Sequence, residues 1–302
     1  MHHPLNGYWT CRMAASMLTL LMVACGGGTS PPAEEVGGEE AAGPDYEVIF
    51  TARVGETSDI FGMNVSDDIR RQLTTLPEFT DFPVWSPGGD RILFLAIGAD
   101  TPDLTVMDTA TGEMSVVVAG NGNPADWGPD GERILITAGI DEGGRGLFIV
   151  DLRDGATERV DTGSSGDAYA RWSPAGDAVT YESGRDGNPE IYWTSLETGE
   201  TRRLTENQLL DEWPSFSADG SRIAWASGTE EDKNLWVMQA DGTDKQQMTT
   251  GLMFGDAFPE WSPDGRRILL TVREGEQFVL QLIDLETGEA TDLGPGTAPS
   301  WR

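Results

Sequence analysis

Histidine, cysteine and lysine are nearly missing from this sequence of 302 residues, which has two His, two Cys and only Lys233 and Lys245. His2, His3, Cys11 and Cys25 all lie in the first 25 residues, so whatever folds downstream has no imidazole and no thiol. That removes Ser-His-Asp and Cys-His nucleophilic systems, zinc sites of the His/Cys kind, and disulfides. With so little lysine, any functional cation is a guanidinium with its planar donor fork. Positive charge of any kind is scarce, 20 basic against 51 acidic residues for a formal net charge of -31. Such a surface repels a phosphate backbone, which excludes nucleic acid as a partner, and it also serves simply to keep the protein solvated. Helical periodicity is scarce, whereas 38 Gly and 17 Pro call for many turns between apolar runs.

The N-terminus reads as an address. Residues 1–24 carry Arg12 and an apolar run from Ala14 to Ala24, followed by Cys25 and three glycines. The run is too short to span a bilayer and ends in small residues, as export signals do. It resembles a bacterial lipoprotein signal peptide, which implies that Cys25 is the lipidated first residue of the mature chain; an ordinary signal peptide with an incidental Cys is the alternative. Cleavage takes away Arg12 but no acid, leaving 19 basic and 51 acidic groups and a charge of -32. Residues 25–45 are rich in Gly, Pro, Ala and Glu and lack the apolar content to offset ordering, so they read as a flexible acidic tether.

From residue 46 the chain is a repeat. The copies are DFPVWSPGGDRILF (81–94), PADWGPDGERILI (124–136), YARWSPAGDAVTY (169–181), EWPSFSADGSRIAW (212–225) and AFPEWSPDGRRILL (257–270), with a sixth beginning at TAPSWR (297–302). Their aromatic anchors, Trp85, Trp127, Trp172, Phe216, Trp261 and Trp301, are 42, 45, 44, 45 and 40 residues apart, the length of one four-stranded propeller blade. Each copy reads as a strand ending at the anchor, a tight Pro-Asp-Gly-type turn and a second strand. A third strand (103–108, 146–151, 190–195, 234–239, 277–284) and a hairpin on Gly112, Gly155, Gly199, Gly242 or Gly288 follow. Residues 47–74 supply a second, third and fourth strand but no first, and TAPSW at the other end is the missing one. The prediction is an all-β, six-bladed propeller whose sixth blade is split, one C-terminal strand joined to three N-terminal ones. Anchors recurring once per blade are expected to pack between blades.

The Asp-x-x-Pro-x-Trp-Ser-Pro-Asp-Gly pattern and the segment SGRDGNPEIYWTSLETGETRRLT (183–205) resemble TolB-type propeller repeats over about residues 46–302. The resemblance is specific for fold, and propellers host many unrelated activities. The family's recurrent Asp, five residues before the anchor, is present as Asp167, Asp211 and Asp256, with Asp81 shifted by one. At the start of the innermost strand these carboxylates are expected to face the channel mouth, where an arc of them suits Ca²⁺, Mg²⁺ or a basic peptide; capping of a local turn is the alternative. Leu252, Met253 and Phe254 form an apolar loop cluster that either anchors a partner or folds inward. Arg185, Asp186, Asn188 and Glu190 read as a structural turn signature of the repeat.

Function is then expected to be binding, not catalysis. The leading reading is an exported, membrane-anchored lipoprotein of the periplasm, outer membrane or cell surface, monomeric, without a cofactor, touching the membrane through its lipid alone and docking an envelope protein or peptidoglycan-associated partner. A glycan- or solute-binding propeller is the alternative, and a carboxylate-based hydrolase is third. Propellers of this repeat type also occur joined to α/β-hydrolase domains, but no GxSxG segment is present to hold a nucleophile.

Overall fold

The computed structural model describes residues 47–302 apart from 67–68, 99–100, 121–122, 142–143, 253 and 256. The predicted signal peptide and tether, with Cys25, and the candidate residues Met253 and Asp256 therefore lie outside the described residues.

Twenty-four strands form six four-stranded antiparallel sheets, one per predicted blade. In the Trp85 blade these are Phe79–Trp85, Arg91–Ile97, Asp103–Asp108 and Met114–Val118, innermost to outermost. The second and third strands are β-branched and apolar on both sides because a blade is covered by a neighbour on each face. Ile92, Leu93, Phe94 and Leu95 are accordingly all buried in succession. The fourth strands form the rim and are short and exposed, as with Arg71–Gln72 and Gln246–Gln247, which limits the edge offered to other chains. The turns that follow the anchors close on a glycine N–H: that of Gly89 donates to Ser86 O at 2.9 Å, and Gly89 takes φ +70°, which costs a glycine little.

The ring closes as expected. Thr297–Trp301 pairs antiparallel with Val48–Val54, Trp301 opposite Val48 and Ser300 opposite Ile49, followed outward by Thr57–Met63 and Arg71–Gln72.

The anchors pack between blades, and the five Trp anchors, but not Phe216, are each held by an arginine. Arg91 lies over Trp127 at 4.9 Å, Arg133 over Trp172 at 5.2 Å, Arg222 over Trp261 at 4.6 Å and Arg267 over Trp301 at 5.4 Å. Arg91 and Arg222 also donate to the turn carbonyls of Gly131 and Gly265, each at 2.6 Å, so stacking and hydrogen bonding tie neighbouring blades together. Ala178 takes the arginine position in the Trp172 blade, and there the next anchor is Phe216 instead of Trp. At the seam Glu47 occupies that position, and Arg302 from the other end of the chain stacks over Trp85 at 4.6 Å and donates to Gly89 O. Replacing Arg222 by Ala is expected to cost about 1–2 kcal/mol, from a lost cation–π contact and a charge-assisted hydrogen bond. Urea unfolding of the two proteins measures it; an unchanged midpoint would make the latch decorative.

Candidate functional site

Of the carboxylates expected to ring the channel mouth, the three among the described residues are withdrawn from solvent to different degrees. Asp167 and Asp211 have no exposed surface. Asp167 Oδ2 accepts from Thr162 Oγ1 and, at 2.8 Å, from Arg185 Nη2. Asp211 accepts from Asn207 Nδ2 at 2.7 Å and Trp225 Nε1 at 3.2 Å, and burial raises its pKa. Asp81 is half-buried, accepts from the Phe82 N–H at 2.9 Å, and burial pushes its carboxyl up to about 6. Asp81 thus meets a backbone N–H of its own strand, whereas Asp167 and Asp211 are taken up by the side chains of neighbouring loops and strands. Among the described residues no group of three His, Cys, Asp or Glu side chains is arranged to hold a metal ion.

Leu252 and Phe254 of the apolar loop turn inward too. Phe254 is 8% exposed, bridges to Val272 and packs with Trp213, Phe258 and Val279, while the half-buried Leu252 donates its N–H to Asn234 Oδ1. The polar string 185–190 is structural as expected: Arg185 holds Asp167, and the buried Glu190 accepts from Arg203, Asn188 and the Asn207 N–H.

The groups that do converge on the axis are ones the sequence reading passed over. A β-bulge interrupts the innermost strands Phe79–Trp85, Ala168–Trp172 and Leu210–Phe216, between Asp81 and Val84, Ala168 and Arg171, and Glu212 and Ser215. In these bulges Phe82, Tyr169 and Trp213 take φ of 50°, 51° and 59°, values that side chains with a Cβ rarely adopt. The bulges re-aim the aromatic rings. Phe82 and Trp213 belong to opposite blades yet stack at 6.3 Å and 3°, a contact made across the axis. Tyr169 lies 4.1 Å from Trp213, and Phe258 meets Trp213 edge-on at 5.2 Å. These four rings plug the channel at the face carrying the loops between the second and third strands and between blades.

Beneath the plug, Arg171 spans the channel. Its guanidinium sits 4.0 Å from the Phe258 ring, binds Asp126 Oδ1 at 3.0 Å and binds Glu260 Oε1 at 2.6 Å, two blades away. Asp126 Oδ2 also accepts the Trp172 N–H at 2.9 Å. Burial pushes the Glu260 carboxyl up to about 7; Arg171 opposes the shift and the Asp126 charge adds to it. On the far side of this bridge from the plug lies a cup of about 200 Å³, which opens among the anchors and the turns that follow them and is bounded by Ser215, Phe216 and Trp301. One signal for the cup was in the sequence: the residue before each anchor reads Val84, Asp126, Arg171, Ser215, Glu260, Ser300, so charges occupy a column of an otherwise buried strand.

A family model described as TolB beta propeller domain matches residues 75–301. An uncharacterized protein of Agrobacterium fabrum is 26% identical over 266 residues, which cover 81% of this chain and 88% of that one. Dipeptidyl-peptidase 5 of Porphyromonas gingivalis is 24% identical over 80% of this chain, which spans only 44% of the peptidase. Among solved structures, TolB from Acinetobacter baumannii superposes with a TM-score of 0.75 at 21% identity, over 85% of this chain and 66% of that one. At that identity the likeness concerns the fold.

Proposed function

Because the chain belongs to the TolB β-propeller family, we propose that it is an exported interaction module of the cell envelope, held to a membrane by lipid on Cys25 and presenting the plugged face of its ring to a protein or peptidoglycan-associated partner. The observation that carries this reading is where exposed apolar side chains lie. Of the seven exposed large apolar side chains among the described residues, Val54, Phe79, Leu209 and Phe278, 37%, 44%, 37% and 43% exposed, sit at that face on four consecutive blades, while Met114 and Val116 lie on a rim strand and Ile69 on a connection to one. Exposed apolar groups gathered on one face mark contact surfaces. The opposite face carries the turn carboxylates Asp90, Asp130, Asp219 and Asp264, each occupied by hydrogen bonds of its own turn. Between Phe278 and the buried Phe254 lies a cavity of about 170 Å³ flanked by Glu230, Glu231, Lys233 and Arg273, room for a partner's apolar side chain beside a charged one. Phe254 thus contributes the floor of a docking surface, not its projecting anchor.

Catalysis is not part of this reading. The peptidase named above extends well beyond the part this chain matches, and nothing downstream of Cys25 offers imidazole or thiol.

Two experiments test the two halves of the reading. Cys25→Ser is expected to move the protein from the membrane pellet to the soluble fraction of lysed cells, and continued pelleting would refute the anchor. Phe79→Ser with Phe278→Ser, both at exposed sites, should leave the melting temperature within about 1–2 °C, as ordinary surface changes do. The same pair should strip a cross-linked partner from the wild-type protein's envelope complex; undiminished cross-linking would refute the face.

A further inference from the structure

We propose that the channel cup is a binding site for a single neutral polyhydroxylated ring, a monosaccharide or a cyclic polyol of that size. The site lies on the opposite side of the plug from the docking face and does not depend on it.

On the plug side the space left around Phe82, Phe258 and Arg171 is about 10 Å³, room for no more than a water. The cup's volume, about 200 Å³, falls below the roughly 300–1,000 Å³ of drug-sized sites and limits the occupant to about one ring.

The floor has unspent hydrogen-bonding capacity of both signs. The Arg171 side chain is 10% exposed, and its Nε–H is buried without a protein acceptor among the described residues. A buried donor of that kind is costly unless a ligand or solvent meets it. Ser215 donates to the carbonyl of Pro259, which leaves its oxygen lone pairs to accept. The carboxylates of Asp126 and Glu260 each have more acceptor sites than Arg171 and the Trp172 and Trp301 N–H groups use. Adjacent hydroxyls on a ring, each donor and acceptor at once, match that set. The wall is apolar and aromatic, with Phe216 and Trp301 half-buried beside it, suited to the C–H face of the same ring.

Charged ligands fit worse. An anion would approach two carboxylates inside a protein of formal charge -31. A cation would have to displace a guanidinium already clamped by both acids.

The test titrates the full-length protein with glucose, galactose and myo-inositol, with argininamide and galacturonate as cationic and anionic probes, read by calorimetry and tryptophan fluorescence. At least one neutral probe should saturate one site. Ala218→Trp, at an exposed position on the rim, should weaken it about tenfold or more without moving the melting temperature, and Arg171→Lys should weaken it likewise. The proposal is overturned if no neutral probe saturates, if argininamide or galacturonate binds more tightly than every neutral probe, or if Ala218→Trp binds as well as the wild type. Any of these leaves the docking reading untouched, because none involves the plugged face.

Discussion

Deleting residues 297–302 is expected to abolish the cooperative fold, not to trim it. The six residues are the innermost strand of the seam blade, paired with Val48–Val54, and they bury Ala298 and Ser300 while covering Ile49 and Phe50, which have no exposed surface. Without them two fully buried apolar side chains meet water, at about 1.5–3 kcal/mol each. The Arg302 latch over Trp85 goes as well, and with it the hydrogen bond from the Trp85 N–H to Ser300 Oγ that joins the first and last innermost strands. A closed ring has no free radial edge, whereas an opened one has two. The summed loss, of order 5–10 kcal/mol, is comparable to the ~5–15 kcal/mol net stability of an ordinary domain. Circular dichroism and calorimetry of the truncated chain should show no cooperative transition near the wild-type temperature. A melting point within a few degrees of wild type would mean that the ring does not rely on its closure.

The ring itself was legible because its signals are local and repeated. Anchor spacing, turn glycines and the three-strand start at residue 47 each follow from period and turn chemistry, and the observed third strands begin within two residues of those expected. The axis was less legible. Asp167 and Asp211 looked like open carboxylates from their place at the start of the innermost strand; both are buried on side-chain partners, and nothing in the residue types Asp-Ala-Tyr or Asp-Glu-Trp announces a positive φ at Tyr169 or Trp213. Arg171 and Glu260 are two blades' worth of chain apart in reading order and touch only because the ring brings them to a common axis, 89 residues distant in sequence. Such pairs arise from closure, which a repeat alignment predicts as topology but not as contact. The charges in the column before the anchors were the available clue: a charge in a strand buried on both faces needs a partner, and within one blade none is offered.

Removing that partner should be the most damaging single substitution in the channel. Arg171→Leu leaves Asp126 and Glu260 buried without their shared cation, which costs about 3–5 kcal/mol for a broken buried pair. The loss should also depend on pH, with a sign fixed by linkage. In the wild type the Glu260 carboxyl titrates at about 7 in the folded state against 4.5 ordinarily, because burial outweighs the help of Arg171. The folded state therefore holds a proton that the unfolded chain has released, so this group's contribution is intact below about 4.5 and is lost as pH rises through about 7. Asp81, raised by burial to about 6, adds a term of the same sign. Without Arg171 the opposition to the Glu260 shift disappears and its pKa climbs further, so the deficit of Arg171→Leu relative to wild type should be smaller at pH 5 than at pH 8. Adding Glu260→Gln to Arg171→Leu removes the titrating group, and should recover part of the stability at pH 8 and little at pH 5. Urea midpoints of the three proteins at the two pH values decide it: a deficit that is the same at both, or no recovery in the double variant, would mean that Arg171 acts by filling space and not by holding charge.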